Sequence, residues 1–268
     1  MASENIRNAT QLIRSANKIV VYTGAGMSKD SGIDVFRGAG NSGFWSGLFG
    51  KFALVYGGTP LGWKLTPRYV WSYFITTFLA PIALAKPHAG HLALKSISDL
   101  LEKDMDVITM NVDGLHQASG FREGSVCEVH GTLKRFRCIL CATPIDIPDP
   151  MNEKENPPTC ARCNGYPRPD VTLFTEGLPG DAWSKASSLV TSLDKDDVML
   201  MIGTSSVVYP AASLPESALH RGAKLIEINP DDSTPFSHVA DIYLKGTAAT
   251  IVPALLNELQ SERRSSRS

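Results

Sequence analysis

Four cysteines form two pairs of equal internal spacing, Cys138-x₂-Cys141 and Cys160-x₂-Cys163, with eighteen residues between the pairs. Thiolates are soft ligands, and four of them complete a tetrahedron around Zn²⁺. Because sulfur would fill every position, we expect a structural metal that leaves no place for a catalytic water. Two redox-active pairs are the alternative, which the matched spacing makes the less favoured one.

His130 lies eight residues before the first cysteine pair, between an apolar stretch and Gly131. Imidazole is the usual general base near neutral pH. A lone histidine is more often a structural hydrogen-bond partner. Here, however, it lies where the predicted sheet passes into the cysteine segment, which is a natural position for a cleft. We therefore predict that His130 is a catalytic base.

A glycine-rich turn, Gly24-Ala25-Gly26, directly follows the apolar run from residue 19 to residue 22. Such a turn is similar to the phosphate-binding turn of dinucleotide folds, where glycine lets the backbone approach a pyrophosphate. The third glycine of that fingerprint is Lys29 here, and no acidic residue clearly closes the second strand. A purely structural turn is therefore the alternative.

Three polar loops follow predicted strands. They are the segment from Asn111 through Asp113 to His116, the segment 203–206 (Gly-Thr-Ser-Ser), and Asn229. The carboxyl ends of parallel strands meet at one edge of a sheet, so these loops are expected to converge on one ligand. For the first of them, an Asx turn without a ligand is the alternative.

The apolar runs alternate with helical patterns along the chain. Strands are predicted at 18–23, 107–109, 171–174, 198–202, 225–228 and 242–244, and helices at 27–32, 68–85, 91–103, 183–193, 214–221 and 250–259. Continuous apolar strands between helices indicate a parallel sheet covered on both faces, an α/β fold. Residues 38–62 are predicted to form an irregular loop, and 135–169 is a proline-rich insertion that a metal would organise.

Composition restricts the class of protein further. The 268 residues are 43% hydrophobic with a net charge of −1, which suits one large domain, or a large and a small one. No attraction to nucleic acid or membrane is expected, and no stretch is long and apolar enough to span a bilayer. Paired reduced cysteines favour an intracellular compartment: cytoplasm, nucleus or mitochondrion. The fifth cysteine, Cys127, is predicted to be a small buried hydrophobe.

Taken together, these motifs resemble the sirtuins, the NAD-dependent protein lysine deacylases. The resemblance covers nearly the whole chain and rests on segments 24–33, 36–38, 86–91, 109–116, 129–131, both cysteine pairs, 168–171, 174–176, 203–205 and 228–229. It implies a Rossmann-like NAD-binding domain (1–37, 87–130 and 169–260) and a smaller domain. The smaller domain would consist of a helical module with the cofactor loop (38–86) and a zinc module (131–168), with a flexible tail at 261–268.

The resemblance also implies roles for individual residues. NAD would lie between the domains as a co-substrate, with His130 as the general base and with Asn111 and Asp113 holding the nicotinamide. Implied cofactor contacts are Gly24, Ala25, Gly26, Ser28, Phe36, Arg37, Met110, Asn111, Asp113, Gly203, Thr204, Ser205, Asn229 and Ala248. An acyl-lysine peptide would add its backbone as a strand beside Val171, Phe174 and Glu176.

The chain departs from the family pattern at several positions. Met110 replaces a glutamine, and Thr175 replaces a glycine. Where the family has Ile-Pro-Asp-Phe, this chain has Ile33-Asp34-Val35-Phe36, so that Val35 replaces the aspartate. The 59–91 region is most similar to the branch that removes negatively charged acyl groups, but Phe74 and Thr77 replace its Tyr and Arg. A succinyl carboxylate would then be buried unpaired, which is costly. We therefore predict an apolar acyl pocket, lined by these two residues and Trp45, for uncharged acyl groups such as acetyl, crotonyl or longer chains.

Three other functions are compatible with parts of this pattern. Protein mono-ADP-ribosyl transfer uses the same cofactor and cleaves the same bond, and the departures at Met110 and Val35 keep it open. A module that binds NAD or acyl-lysine with little catalysis is less favoured, because His130, Asn111 and Asp113 are all present. A hydride-transfer dehydrogenase is least favoured, since the four cysteines have no part in such chemistry.

Overall fold

The computed structural model describes residues 2–33, 57–103 and 105–265. Several residues with predicted roles lie outside this part of the chain: Phe36 and Arg37 of the cofactor site, Trp45 of the acyl pocket, and the departure at Val35. Most of the loop predicted at 38–62 and the last three residues of the tail are likewise outside it.

The larger body of the protein is a six-stranded parallel sheet. Its strands are β1 (Ile19–Thr23), β2 (Met105–Thr109), β3 (Val126–Glu128), β7 (Val198–Ile202), β8 (Lys224–Asn229) and β9 (Ile242–Lys245), in the spatial order β3-β2-β1-β7-β8-β9. The central strands β1 and β7 are buried along their whole length, as their continuous apolar sequences predict. The predicted parallel α/β sheet is confirmed.

Helices cover both faces of this sheet. One face contacts α1 (Ala2–Ser15), α5 (Ala89–Leu101) and α9 (Ala248–Ser265), and the other contacts α7 (Gly180–Thr191) and α8 (Ser213–His220). Successive strand residues alternate between the faces, so Val21 packs in the first cluster and Tyr22 in the second. Among the described helices, none is both long and apolar enough to cross a membrane.

A smaller body combines an antiparallel sheet with short helices. The sheet contains β4 (Gly131–Cys138), β5 (Pro144–Ile145) and β6 (Pro167–Val171) in the order β5-β4-β6. The helices of this body are α2 (Pro60–Leu65), α3 (Pro67–Phe74), a π-helical turn (Ile75–Leu79) and α4 (Ala80–Leu84). A further short helix, α6 (Leu115–Ala118), lies beside the larger sheet. Trp71 of α3 packs edge-on against Phe136 of β4, with ring centroids 5.4 Å apart. The helical and cysteine-bearing segments therefore share one core.

Some predicted elements differ from the structure. The strand predicted at 171–174 is wrong: β6 covers Pro167–Val171 and pairs antiparallel with β4, outside the parallel sheet. Its prolines indicate a loop in the sequence, yet an edge strand accepts them. The helix predicted at 27–32 forms two short 3₁₀ turns, Ala25–Met27 and Lys29–Ser31. The last helix reaches Ser265, into the tail predicted to be flexible, and the domain boundaries stay a prediction.

Candidate active site

The order of the strands places a ligand site between β1 and β7. The chain runs outward from β1 to β2 and β3, and then returns to the other side of β1 as β7. Ligands of open parallel sheets bind outside the carboxyl ends of the strands at such a reversal point. Gly24 follows β1 and Gly203 follows β7, and the two turns touch, because the Gly26 N–H donates to the Gly203 carbonyl oxygen at 2.8 Å.

The glycines of these two turns are required by the protein's own backbone. A Cβ on Gly24 would lie 2.9 Å from the Gly203 oxygen, and one on Gly26 would lie 2.8 Å from the Gly203 Cα. Gly203 itself has a φ of +58°, and a Cβ on it would lie 2.5 Å from the Gly26 carbonyl carbon. The turn is therefore structural, and it also brings side-chain-free backbone to the mouth of the site. The structural and ligand-binding interpretations of this motif are compatible.

A hydrogen-bonded network joins the loops after β1 and β2. The Asn111 Nδ2 donates to the Gly24 carbonyl oxygen at 2.9 Å and to the Ser28 Oγ at 3.0 Å. The Ser28 hydroxyl donates to the Asp113 Oδ2 at 2.7 Å, and the Leu115 N–H donates to the Asp113 Oδ1 at 2.9 Å. The side chains of Asn111, Ser28 and Asp113 are buried. The structure thus brings together the predicted polar residues of two sequence-distant loops.

Burial controls the charge of Asp113. Loss of solvent raises the pKa of its carboxyl group, while the Leu115 and Ser28 hydrogen bonds and the nearby Lys134 charge oppose that rise. The Lys134 ammonium donates to the Gly114 carbonyl oxygen at 3.2 Å. Because Lys134 belongs to β4, the smaller body contributes a positive charge to the loop that carries Asp113.

His130 lies at the junction of the two sheets, as predicted. It follows β3 of the larger sheet and precedes Gly131 of β4, and its carbonyl oxygen accepts from the Thr172 N–H at 2.9 Å. Gly131 has a φ of +81°, and a Cβ there would lie 2.1 Å from the Asp170 oxygen, so only glycine permits this crossing. The imidazole is partly buried, and burial lowers its pKa, which favours the neutral, basic form.

The loops after β7 and β8 are tied to each other. The Asn229 Nδ2 donates to the Thr204 carbonyl oxygen at 2.9 Å, and its Oδ1 accepts from the Asp231 N–H at 3.1 Å. The Thr204 hydroxyl accepts from the Ser206 N–H at 3.0 Å, whereas Ser205 is exposed. Thr204 and Asn229 therefore shape this side of the site through internal bonds, and Ser205 has the most accessible side chain of the three.

Two other predicted cofactor residues have mainly internal contacts. The Met110 thioether lies 3.3 Å from the Tyr22 hydroxyl and packs on the cluster beneath α7 and α8. Ala248 is buried at the start of α9, and its carbonyl oxygen would lie 2.6 Å from a Cβ on Gly90. Their predicted contacts with the cofactor stay predictions.

The four paired cysteines form one cluster, and all their Sγ atoms lie within 4.8 Å of one another. Cys138–Cys163 and Cys141–Cys163 are each separated by 3.4 Å and Cys141–Cys160 by 3.6 Å. Sulfurs of a tetrahedral Zn²⁺ site stand roughly 3.8 Å apart, given Zn–S bonds of ~2.3 Å. The donor set and its spacing therefore fit structural zinc.

Backbone turns of the same design carry the two cysteine pairs. The Cys138 carbonyl oxygen accepts from the N–H of Ala142, which has a φ of +58°. The Cys160 oxygen accepts in the same way from Asn164, which has a φ of +57°. A Cβ on Gly165 would lie 2.6 Å from the Cys138 Sγ, so this glycine leaves room for the sulfur.

The predicted substrate residues lie on and beside the smaller body. Val171 ends β6, and the Phe174 ring is 50% exposed. Glu176 forms a bidentate ion pair with Arg168. Phe74 is only 7% exposed and stacks on Phe78 with ring centroids 5.9 Å apart; Thr77 is partly buried in the π-helical turn. The substrate role of this surface stays a prediction, and the internal partners of Glu176 and Phe74 were not predicted.

Three histidines, of which His91 and His116 are buried and His88 is partly buried, lie behind the glycine turn, and none of them was predicted to have an individual role. The His116 Nε2 lies 3.0 Å from the Thr23 Oγ1, and the His88 Nε2 lies 2.6 Å from the Met27 carbonyl oxygen. His91 lies between the two rings, at 4.4 and 5.2 Å between centroids, and burial lowers its pKa to about 2. The signal in the sequence that could have pointed to these histidines is their position inside the 86–91 and 109–116 motifs.

A doubly wound sheet with a glycine turn at its reversal point, beside a four-thiolate module, defines a nucleotide-binding α/β protein. A Sir2 family model matches residues 24–210, and the chain belongs to the Sir2 family, the sirtuins. It is 37% identical over 257 residues to NAD-dependent protein deacylase 2 of Pyrobaculum aerophilum, covering 96% of this chain and 97% of that protein.

Solved structures show the same similarity. A complex of a Sir2 homologue with NAD has a TM-score of 0.82 and 32% identity, covering 95% of this chain and 94% of the other. A Sir2 protein with a deacetylated p53 peptide and 3'-O-acetyl ADP-ribose has a TM-score of 0.80 and 29% identity, covering 94% of this chain and 98% of the other. The predicted family and its Rossmann-like sheet are confirmed.

Proposed function

We propose that this protein is an NAD-dependent protein lysine deacylase that transfers an uncharged acyl group from lysine to ADP-ribose and releases nicotinamide. The observation that carries the proposal is the buried Ser28–Asn111–Asp113 network at the reversal point of the sheet. Membership of the Sir2 family and a similar protein named as an NAD-dependent deacylase support the same activity.

The network suits a carboxamide. Asn111 uses both Nδ2 hydrogens on Gly24 and Ser28, which leaves its Oδ1 to accept an N–H of the nicotinamide amide. Each Asp113 oxygen has a spare lone pair for another donor. His130 then takes a ribose hydroxyl proton, because its lowered pKa keeps the imidazole neutral near pH 7. The side chains of this chain hold the leaving group and remove the proton.

An acyl-lysine peptide is the substrate class that the smaller body suits. β6 is an edge strand of its sheet, within the part of the chain that the structure describes. Extended peptides bind by adding a strand to such an edge, where main-chain hydrogen bonds supply affinity independent of the peptide's sequence. Val171 and the exposed Phe174 border this edge, and zinc held by the four cysteines keeps the sheet in place.

The acyl group is uncharged in this proposal. Phe74 belongs to a cluster of aromatic and aliphatic side chains that includes Trp63 and Phe78, and neither Phe74 nor Thr77 can pair with a carboxylate. A succinyl carboxylate brought into this cluster would lose its hydration without gaining an ionic partner. Acetyl, crotonyl and longer apolar chains carry no such penalty.

A panel of otherwise identical peptides tests the proposal. Acetyl-, crotonyl-, myristoyl- and succinyl-lysine peptides are incubated with NAD, and the products are identified by mass spectrometry. We expect NAD-dependent formation of acyl-ADP-ribose, with the succinyl peptide at least about tenfold slower, given the cost of burying an unpaired carboxylate. Preferential removal of succinyl would overturn the uncharged-acyl assignment. Addition of ADP-ribose to protein, without acyl-ADP-ribose, would identify a mono-ADP-ribosyltransferase instead.

A further inference from the structure

Arg168 is a charged side chain inside the smaller body, with only 1% of its surface exposed. Its Nη1 donates to the Glu176 Oε1 at 2.6 Å and its Nη2 donates to the Glu176 Oε2 at 2.9 Å. The Nε donates to the Pro169 carbonyl oxygen at 3.2 Å, and the Nη2 also donates to the Val171 carbonyl oxygen. A buried guanidinium is tolerated only when it is paired and hydrogen-bonded to this extent.

The same ion pair closes the chain segment that follows β6. Arg168 donates to the Val171 carbonyl oxygen at the start of the segment. Glu176, at the end of the segment, reaches back to accept from the Leu173 N–H at 3.0 Å with its Oε2. Burial alone would raise the pKa of Glu176, but the hydrogen bonds from Arg168 and the Leu173 N–H, with the charges of Arg168 and of Arg137 at 3.9 Å, outweigh it and lower the pKa. The carboxylate stays ionised, so residues 171–176 remain closed into a compact turn around this pair.

Thr175 lies inside this turn in an unfavourable conformation. Its φ is +75°, a left-handed value that glycine adopts freely and that a β-branched residue rarely adopts. Such strain persists only where the surrounding structure imposes it. The flanking bonds supply that constraint, since Glu176 is fixed by Arg168 and the Phe174 N–H donates to the Gly58 carbonyl oxygen at 2.8 Å.

We propose that the Arg168–Glu176 pair positions the peptide-binding edge by holding Thr175 in its strained conformation, so that Val171 and the exposed Phe174 face the acyl-lysine peptide. Glu176 is then a positioning residue and does not contact the substrate. This inference rests on the proposed peptide substrate. It explains why the carboxylate of Glu176, next to the predicted peptide site, forms an ion pair with the buried Arg168.

A double-mutant cycle between Glu176 and Thr175 tests the inference. Glu176→Gln keeps the shape of the side chain but removes the charge, and Thr175→Gly removes the strain. Affinity for an acetyl-lysine peptide is measured by fluorescence anisotropy without NAD, and exchange of the Leu173 amide hydrogen is measured in the same variants. Glu155→Gln, which neutralises an exposed acid of the zinc module, is the charge-matched control.

We expect Glu176→Gln to weaken peptide binding about tenfold and to speed Leu173 exchange, because a strained Thr175 then leaves its left-handed conformation. Thr175→Gly alone should stay within about twofold of the wild type, since glycine keeps this φ without strain. The double variant should recover most of the lost affinity. The KM for NAD in turnover assays should change less than about twofold throughout, because the ion pair lies outside the glycine turn.

The outcomes separate this inference from the proposed function. If the wild-type protein binds no acetyl-lysine peptide, the proposed function is wrong. If it binds the peptide, and Glu176→Gln reduces affinity equally with threonine or glycine at position 175, the strain of Thr175 has no part. Loss of peptide affinity with unchanged Leu173 exchange would show that Glu176 contacts the peptide directly. Either of the last two results overturns the proposal.

Discussion

The chemistry proposed for His130 depends on where its imidazole lies. The residue joins β3 of the parallel sheet to β4 of the smaller body, and Gly131 makes the crossing possible. Partial burial lowers the pKa of the ring, so the base is neutral without needing an acidic partner. Position and protonation state thus agree with the role of a general base.

Replacement of His130 by alanine should abolish deacylation and leave the fold intact. Removing a general base typically costs at least about 10²–10⁴-fold in rate, whereas a partly exposed side chain at a junction contributes little to the core. Turnover of the acetyl peptide and the thermal midpoint are measured together. His220→Ala, which removes an exposed histidine from α8, is the matched control. Near-normal turnover of the His130 variant would mean that another group removes the proton.

The pH dependence of kcat/KM should report the environment of His130. The neutral base is present above its folded-state pKa, and burial moves that pKa downward. The acid limb of the profile is therefore expected below about pH 6.5, the ordinary value for histidine. Peptide and NAD concentrations well below KM give the free-enzyme value, and circular dichroism at each pH verifies that the protein is folded. An acid limb above pH 7 would contradict the lowered pKa.

The elements that the sequence predicted best are those with one dominant signal. The central strands β1 and β7 are continuous apolar runs, and their bounds were predicted to within a residue. β3 is only three residues long and was not predicted, although Cys127 within it is buried as expected. β6 was misplaced because Pro167 and Pro169 conceal an edge strand whose pairing depends on a distant partner, β4. Local patterns do not contain such non-local pairing.

The site was predictable to a similar extent. The polar residues after the strands could be found because parallel strands bring their carboxyl ends together. The contacts between the turns after β1 and β7 could not be predicted from the sequence, since they depend on how closely the two backbones approach each other. Gly24 and Gly26 looked like ligand-binding glycines, and the structure adds that each one accommodates Gly203. The buried role of Arg168, which the sequence shows only as part of the 168–171 motif, could not be predicted, because burial of a charge is not visible in a sequence.

A methyl group on Gly26 should disturb the cofactor site through the backbone. The added Cβ would lie 2.8 Å from the Gly203 Cα, so the turns after β1 and β7 must separate. We expect Gly26→Ala to raise the KM for NAD at least about tenfold and to destabilise the protein by about 1–3 kcal/mol, as overpacking does. Gly124→Ala, where an added Cβ meets nothing within 4 Å, is the control. An unchanged KM for NAD would show that the contact between the turns does not shape the cofactor site.

The two bodies of the molecule are connected through the loop that carries Asp113. The Leu133 N–H of β4 donates to the Val112 carbonyl oxygen at 2.9 Å, and Lys134 of the same strand donates to the Gly114 oxygen. Val112 also packs against the core shared by the helical and zinc modules. The smaller body therefore supports the predicted cofactor site as well as the proposed peptide site, although its cysteines belong to neither.

Loss of the metal should weaken cofactor binding at a distance. Cys160→Ser removes one of the four sulfurs, and we expect the variant to lose its zinc, because a structural site depends on its complete set of thiolates. The cysteine segment should then lose order and release the Leu133 and Lys134 contacts to the Asp113 loop, so that the KM for NAD rises at least about fivefold.

The parallel sheet should stay folded in the Cys160 variant, since its two clusters are separate from the core of the smaller body. Zinc content by mass spectrometry, thermal unfolding and the KM for NAD are measured side by side. Cys127→Ala, which removes the one cysteine outside the cluster, is the control and should keep its zinc. A zinc-free Cys160 variant with a normal KM for NAD would show that the smaller body supports the peptide site alone.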